Sequence, residues 1–195
     1  MKRTVALLAG LALAGALIAA AVAPAGAHTV RLVRWDVVKR SGHPLALLAG
    51  GSARATDPAS GDTISLTGTG QAEPRQRAAA GGGSFIHRHA DGTSCCRGVY
   101  LVTGFVSFVQ LPGSLAGTGI LDAIGDREQA TSGVLRVRVK LVHADGMVAE
   151  GTLTISGALP GAPAGSLEGV QLTVDGEHAF TQIRPGSHTL LHTLR

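Results

Sequence analysis

Val134-Leu135-Arg136-Val137-Arg138-Val139-Lys140-Leu141-Val142-His143 is the stretch on which the fold turns. Leu135, Val137, Val139 and Leu141 alternate with Arg136, Arg138 and Lys140. A period of two sends one set of side chains into a core and the other into water, the pattern of a half-buried β-strand. The three cations read as the solvated face. No aromatic residue interleaves with them, as a stacking surface for single-stranded nucleic acid needs.

Working outward, the same pattern recurs. From Asp62 to Thr69, Ile64 and Leu66 face one way, while Thr63, Ser65, Thr67 and Thr69 form a hydroxyl row on the other. Met147 to Ser156 and Val170 to Val174 repeat the theme, and Thr29 to Arg40, with the sole Trp35, is rich in β-branched residues. Val99 to Val109 is apolar on both faces and carries Tyr100, Phe105 and Phe108, which predicts a central, doubly buried strand. Asp91-Gly92, Asp145-Gly146 and Asp175-Gly176 suit the positive φ angles of tight hairpin turns. His-Ala-Asp-Gly occurs twice, at 89–92 and 143–146, as one hairpin device used at two places. Ala/Gly/Pro-rich stretches at 71–83, 111–133 and 157–168 read as loops, with one helical turn conceivable at Ile120 to Ile124. The expected fold is all-β: an antiparallel β-barrel or β-sandwich.

The chain has 195 residues, 17 Lys and Arg against 13 Asp and Glu, and 45% apolar residues. Residues 1–27 distort those totals. Met1-Lys2-Arg3 is a positive start, Val5 to Ala23 is uncharged and apolar, and Ala25-Gly26-Ala27 offers the small residues of a cleavage site. That is the pattern of a secretory signal peptide, with an uncleaved anchor as the alternative. Without it, residues 28–195 carry 15 basic and 13 acidic residues, a net charge of +2. So small a charge gives no argument for nucleic acid or for an anionic membrane. The expectation is a single exported domain over 28–195, without stable membrane insertion once the leader is removed, whose extracellular ligand is unknown.

Eight histidines stand in a chain with only three lysines. His87-Arg88-His89 would put two imidazoles on one face of a strand, within reach of one ion. His188 and His192 share a face if Ser187 to Leu194 is a strand. A divalent transition metal held by His87, His89, His188 and His192 is therefore the candidate site, with backbone-satisfied or exposed histidines as the alternative. Cleavage after Ala27 would make His28 the amino terminus. That resembles the copper oxygenases of polysaccharides and some copper carriers, which imply copper held by the terminal amine and ring.

Cys95-Cys96 is the whole cysteine inventory. Adjacent Cα atoms lie about 3.8 Å apart, below the usual disulfide range, and on a regular strand the two side chains face opposite ways. Two small buried or half-buried thiols, a vicinal or intermolecular disulfide, and metal ligation with His87 or His89 are the three readings. Asp122, Asp126 and Glu128 cluster in a loop that could ligate calcium, without EF-hand spacing. Nucleophile-elbow, phosphate-loop and zincin motifs do not occur.

Gly81 followed after five residues by His87-Arg88-His89 resembles the opening of the first cupin motif, which implies a metal-binding β-barrel. The glutamate of that motif is replaced by Thr93 and Ser94, and Arg184-Pro185-Gly186-Ser187-His188 echoes the second motif with altered spacing. From about Thr63 onward, Gly68-Thr69-Gly70, Gly81-Gly82-Gly83-Ser84-Phe85, Val106-Ser107-Phe108, Gly133 to Val139 and Glu168-Gly169-Val170 resemble a group of secreted β-rich proteins of high-GC bacteria. That resemblance implies export and an all-β fold, and carries no activity. The leading expectation is a non-enzymatic binding or structural domain that uses its loops and the Tyr100–Phe108 region. A histidine-based metal protein and a small-cavity barrel isomerase are the alternatives.

Overall fold

In the computed structural model, which describes residues 30–194, the Val134–His143 alternation forms most of β9 (Ala130–His143). Leu135, Val137, Val139 and Leu141 are buried, while Arg136 and Lys140 are exposed. Arg138 is paired by Asp175, whose Oδ2 accepts from its Nη2 at 2.6 Å. The remaining strands are β1 (Leu32–Ser41), β2 (Ala46–Leu48), β3 (Ala53–Thr56), β4 (Thr63–Leu66), β5 (Thr69–Glu73), β6 (Ala78–Arg88) and β7 (Ser94–Leu111). They continue as β8 (Leu121–Asp122), β10 (Val148–Gly157), β11 (Gly169–Val174), β12 (Ala179–Phe180), β13 (Gln182–Ile183) and β14 (His188–Leu194). No helix among the described residues is long and apolar enough to cross a membrane.

Following the ladders from β1 through β14, β9, β7, β6 and β5 leads back to β1, with every neighbour antiparallel. These six strands therefore close into a barrel, and closure leaves their ring without a free edge. From β9 the sheet also extends to β10, β11 and β12; from β6 it extends to β4, β3 and β13. These two wings meet where β3 packs against β11. The interior is filled by Trp35, Leu66, Phe85, Tyr100, Leu135, Ile155, Leu172 and Phe180, all fully buried. Burial contributes about 1.5–3 kcal/mol for each such side chain. Tyr100 donates from its hydroxyl to the Thr67 carbonyl at 2.8 Å, and burial pushes that hydroxyl well above the usual tyrosine range.

All three Asp-Gly pairs make turns: Gly92, Gly146 and Gly176 have φ of +85°, +91° and +76°. The two His-Ala-Asp-Gly copies connect β6 to β7 and β9 to β10.

Three expectations are corrected. The 71–83 stretch is not a loop, because β5 and β6 run through most of it. Trp35 lies against Gly81 of this stretch and against Gly70 just before it: a Cβ on Gly70 would lie 2.7 Å from the indole Nε1, and one on Gly81 3.2 Å from Cζ2. Gly70→Ala would also drive a methyl into the Ala80 carbonyl oxygen. Overpacking of that kind costs about 1–3 kcal/mol, and urea denaturation of the variant should show a loss of that size.

The second correction concerns Val99–Val109. It lies centrally in β7, bonded to β6 and β9, yet it is not doubly buried: Val99, Leu101, Val106 and Val109 are exposed on the outer face. Tyr100, expected at a binding surface, lies inside instead. Third, Ile120 to Ile124 makes no helical turn. Leu121–Asp122 is the short strand β8, paired in parallel with β2.

The long segment 112–129 folds over the outside of the barrel. There Leu115, Ile120 and Ile124 join Val38, Leu47, Ala130, Leu159 and Leu190 in a second, smaller core. β14 thus serves both cores, with Leu191 in the barrel and Leu190 beneath this cover.

Candidate metal centre

His87 lies near the end of β6 with its side chain turned inward and buried. β4 pairs with this end of β6, Ile64 opposite His87, so the residue that opens β4's approach is carried to the same place. That residue is Asp62. Its Oδ2 lies 3.0 Å from His87 Nε2 and 3.3 Å from His89 Nδ1, and its Oδ1 accepts from the Ala90 amide at 3.1 Å. Burial pushes the Asp62 carboxyl up, but the His87, His89 and Ala90 hydrogen bonds outweigh it and hold the group below the usual range. It stays an anion, and His87 donates to it from Nε2–H.

The other edge of His87 faces β7. The ladder pairs His87 with Cys96 and Arg88 with Ser94, which leaves Cys95 as an extra residue in a β-bulge. Two residues then oppose one, and the strict alternation of side chains lapses. This corrects the expectation that the cysteines face opposite ways. The Cys95 and Cys96 sulfurs and a ring nitrogen of His87 lie within 4.8 Å of one another. Both thiols are free, Cys95 exposed and Cys96 half-buried. Cys96 donates from Sγ toward His87 Nδ1 at 3.7 Å. Burial, reinforced by Cys95, pushes the Cys96 thiol up to about 12.

Aromatic packing fixes the ring further. His178 meets His87 edge-on with centroids 4.9 Å apart, and Phe180 lies 5.2 Å away. His178 is itself held by Asp57, whose Oδ2 is 3.2 Å from Nδ1. Burial lowers the His87 imidazole below its ordinary range, and the opposing pull of Asp62 does not cancel it. A neutral ring whose Nε2–H is held by Asp62 and whose Nδ1 lone pair faces the Cys96 thiol is in the state in which histidine ligates metals.

Two three-residue clusters therefore share His87: Asp62, His87 and His89 on one side, His87, Cys95 and Cys96 on the other. The expected four-histidine set does not form. His188 Nδ1 pairs with Glu168 Oε1 at 3.0 Å, and His192 Nε2 pairs with Asp122 Oδ2 at 2.6 Å. The echo of a second cupin motif likewise brings no ligand to His87, since its His188 is held by Glu168.

The calcium cluster does not form either. Asp122 is spent on His192 and on the Ile124 and Gly125 amides, Asp126 caps the Glu128 amide, and Glu128 pairs with Arg127. The expected signal peptide, residues 1–27, and His28 lie outside the described residues.

Asp62, Asp57 and His178 were not legible as site residues. Asp62 opens an alternating strand, and only the pairing of β4 with β6 reveals its role.

The fold and this cluster define a closed antiparallel β-barrel with an imidazole–carboxylate–thiol centre at one hairpin. No protein-family model, no curated protein and no solved structure matches the chain.

Proposed function

We propose that this protein is an exported, non-enzymatic β-barrel domain that binds one divalent transition-metal ion through His87. The observation that carries it is the orientation of His87. Asp62 takes one ring nitrogen, His178 and Phe180 clamp the ring, and the second nitrogen is left among potential ligands. A carboxylate behind a histidine is the usual outer-sphere support of a metal-bound imidazole. Export is supported by the basic start, apolar stretch and small-residue site of residues 1–27. Aromatic and aliphatic side chains in the described barrel interior favour binding at the hairpin over the isomerase reading.

The test is metal content of the purified reduced domain after loading with zinc, with free ion removed. About one equivalent per chain is expected. His87→Ala should abolish uptake, while His188→Gln should leave it unchanged, with circular dichroism reporting that each variant is folded. Uptake that survives His87→Ala, or a wild-type domain that holds no metal, overturns the proposal.

A further inference from the structure

We infer that the ion sits on the thiol side of His87, held by His87 Nδ1, Cys95 Sγ and Cys96 Sγ, with Asp62 acting as a positioning residue. The inference rests on the metal-binding reading above and says which of its two clusters is the site.

Several independent features point there. The bulge is a local break in an otherwise regular hairpin ladder, and its effect is to bring a second sulfur to the imidazole. Bulges of this kind re-aim side chains next to functional sites. The hydrogen bonding of His87 points the same way. Using Nε2 for an ion on the Asp62–His89 side would break the buried bond to Asp62; using Nδ1 keeps it. A buried hydrogen bond to a charged group is among the costlier ones to lose, so the thiol side starts with the advantage.

A cleft of about 290 Å³ opens directly over the sulfurs, lined by Ser94, Cys95, Cys96, Arg97, His143 and Asp145. His143 Nδ1 on its wall is buried with no hydrogen-bond partner. Three ligands with a solvent-connected fourth position are the layout of an open site, not of a closed four-ligand structural one. Two thiols and an imidazole select a thiophilic ion of the zinc class over calcium, magnesium or manganese. On binding, the Cys95 and Cys96 protons leave to solvent and both sulfurs ligate as thiolates.

The experiment is a cobalt(II) titration of the full reduced domain under exclusion of oxygen, cobalt serving as the spectroscopic stand-in for zinc. The wild type should develop an intense near-ultraviolet thiolate-to-cobalt absorption that saturates at about one equivalent. In the Cys95→Ser/Cys96→Ser variant that absorption should vanish, and affinity should fall by more than the roughly 10–100-fold typical of an outer-sphere loss. Asp62→Asn should keep the absorption and weaken binding by about 10–100-fold. A group needed only for folding would instead change the circular dichroism.

Cobalt bound without the thiolate absorption, unaffected by the double serine variant but lost in His89→Ala, places the ion on the Asp62–His89 side. That result overturns this inference and leaves the proposed function standing. A wild type that binds no cobalt overturns both.

Discussion

Trp35→Ala is expected to lower the stability of the domain by about 3–5 kcal/mol, the usual loss when a fully buried large side chain is cut to a methyl. Against a total of about 5–15 kcal/mol for a domain of this class, that is a large share. The corresponding fall in Tm is roughly 6–20 °C. Trp35 is wholly buried on β1, and the backbone of Gly70 and Gly81 packs onto its ring. No neighbouring side chain from those two positions can move in to fill the space, so the cavity stays.

Trp35→Phe should behave differently. The indole Nε1 is buried without a hydrogen-bond partner, a deficit of about 1–3 kcal/mol. Phenylalanine removes that donor while keeping much of the ring, so its net loss should stay under about 1.5 kcal/mol. Urea denaturation of both variants checks the pair. An alanine variant within about 1 kcal/mol of wild type would contradict the packing described for this core.

The fold was legible wherever one face of a strand is wet. β9 and β4 show the alternation in sequence because Arg136, Lys140 and the threonines mark the water side. Legibility failed where composition stops reporting the environment. The Ala78–Gly83 run lacks the bulky residues of a strand because Gly81 lies against Trp35 and Gly82 and Gly83 lie against the backbone of Tyr100 and Thr67, so it reads as a loop. β7 failed in the other direction: Val99, Leu101, Val106 and Val109 are apolar yet exposed, and an apolar run on both faces imitates a doubly buried strand.

The candidate site was half legible for a related reason. His87 and His89 stand two apart in a strand and announce a shared face. Cys95 and Cys96, adjacent in sequence, seemed bound for opposite faces until the bulge turned them together, and a bulge has no signature in a single chain. Asp62 reaches His87 only through the β4–β6 pairing, 25 residues away in sequence. His188 and His192 were misassigned because i, i+4 spacing fixes a shared side of β14 but not which core that side meets. Segment 112–129 covers it and supplies Asp122.

That cover gives the second large effect. Asp122→Ala is expected to destabilise the domain by at least about 1.5–3 kcal/mol, the range for losing a hydrogen bond to a charged group. The side chains of Asp122 and His192 are 1% and 2% exposed. His192 Nδ1 already lacks a partner, so losing the carboxylate would strand both ring nitrogens. It would also release the Ile124 and Gly125 amides that fold this segment onto Val38, Leu115 and Leu190.

Burial tends to raise the Asp122 carboxyl, but His192 and the two amides outweigh it and hold the group below the usual carboxylate range. A depressed folded-state value means that the anion's contribution is fully present above the unfolded value of about 4. It is lost as pH falls through the lower, folded value. Wild-type stability should therefore decline in that acidic window.

Asp122→Asn should be flatter there, because its amide oxygen still accepts from His192 and the backbone without titrating. At neutral pH it should be weaker than wild type but stronger than Asp122→Ala, since neutral hydrogen bonds contribute about 0.5–1.5 kcal/mol and those to charged groups about 1.5–3. Urea midpoints from pH 7 to pH 3, with limited proteolysis of segment 112–129 at neutral pH, measure both consequences. If all three proteins share one pH profile, the Asp122–His192 pair does not hold the cover, and packing of Leu115 and Leu159 against Leu190 holds it alone.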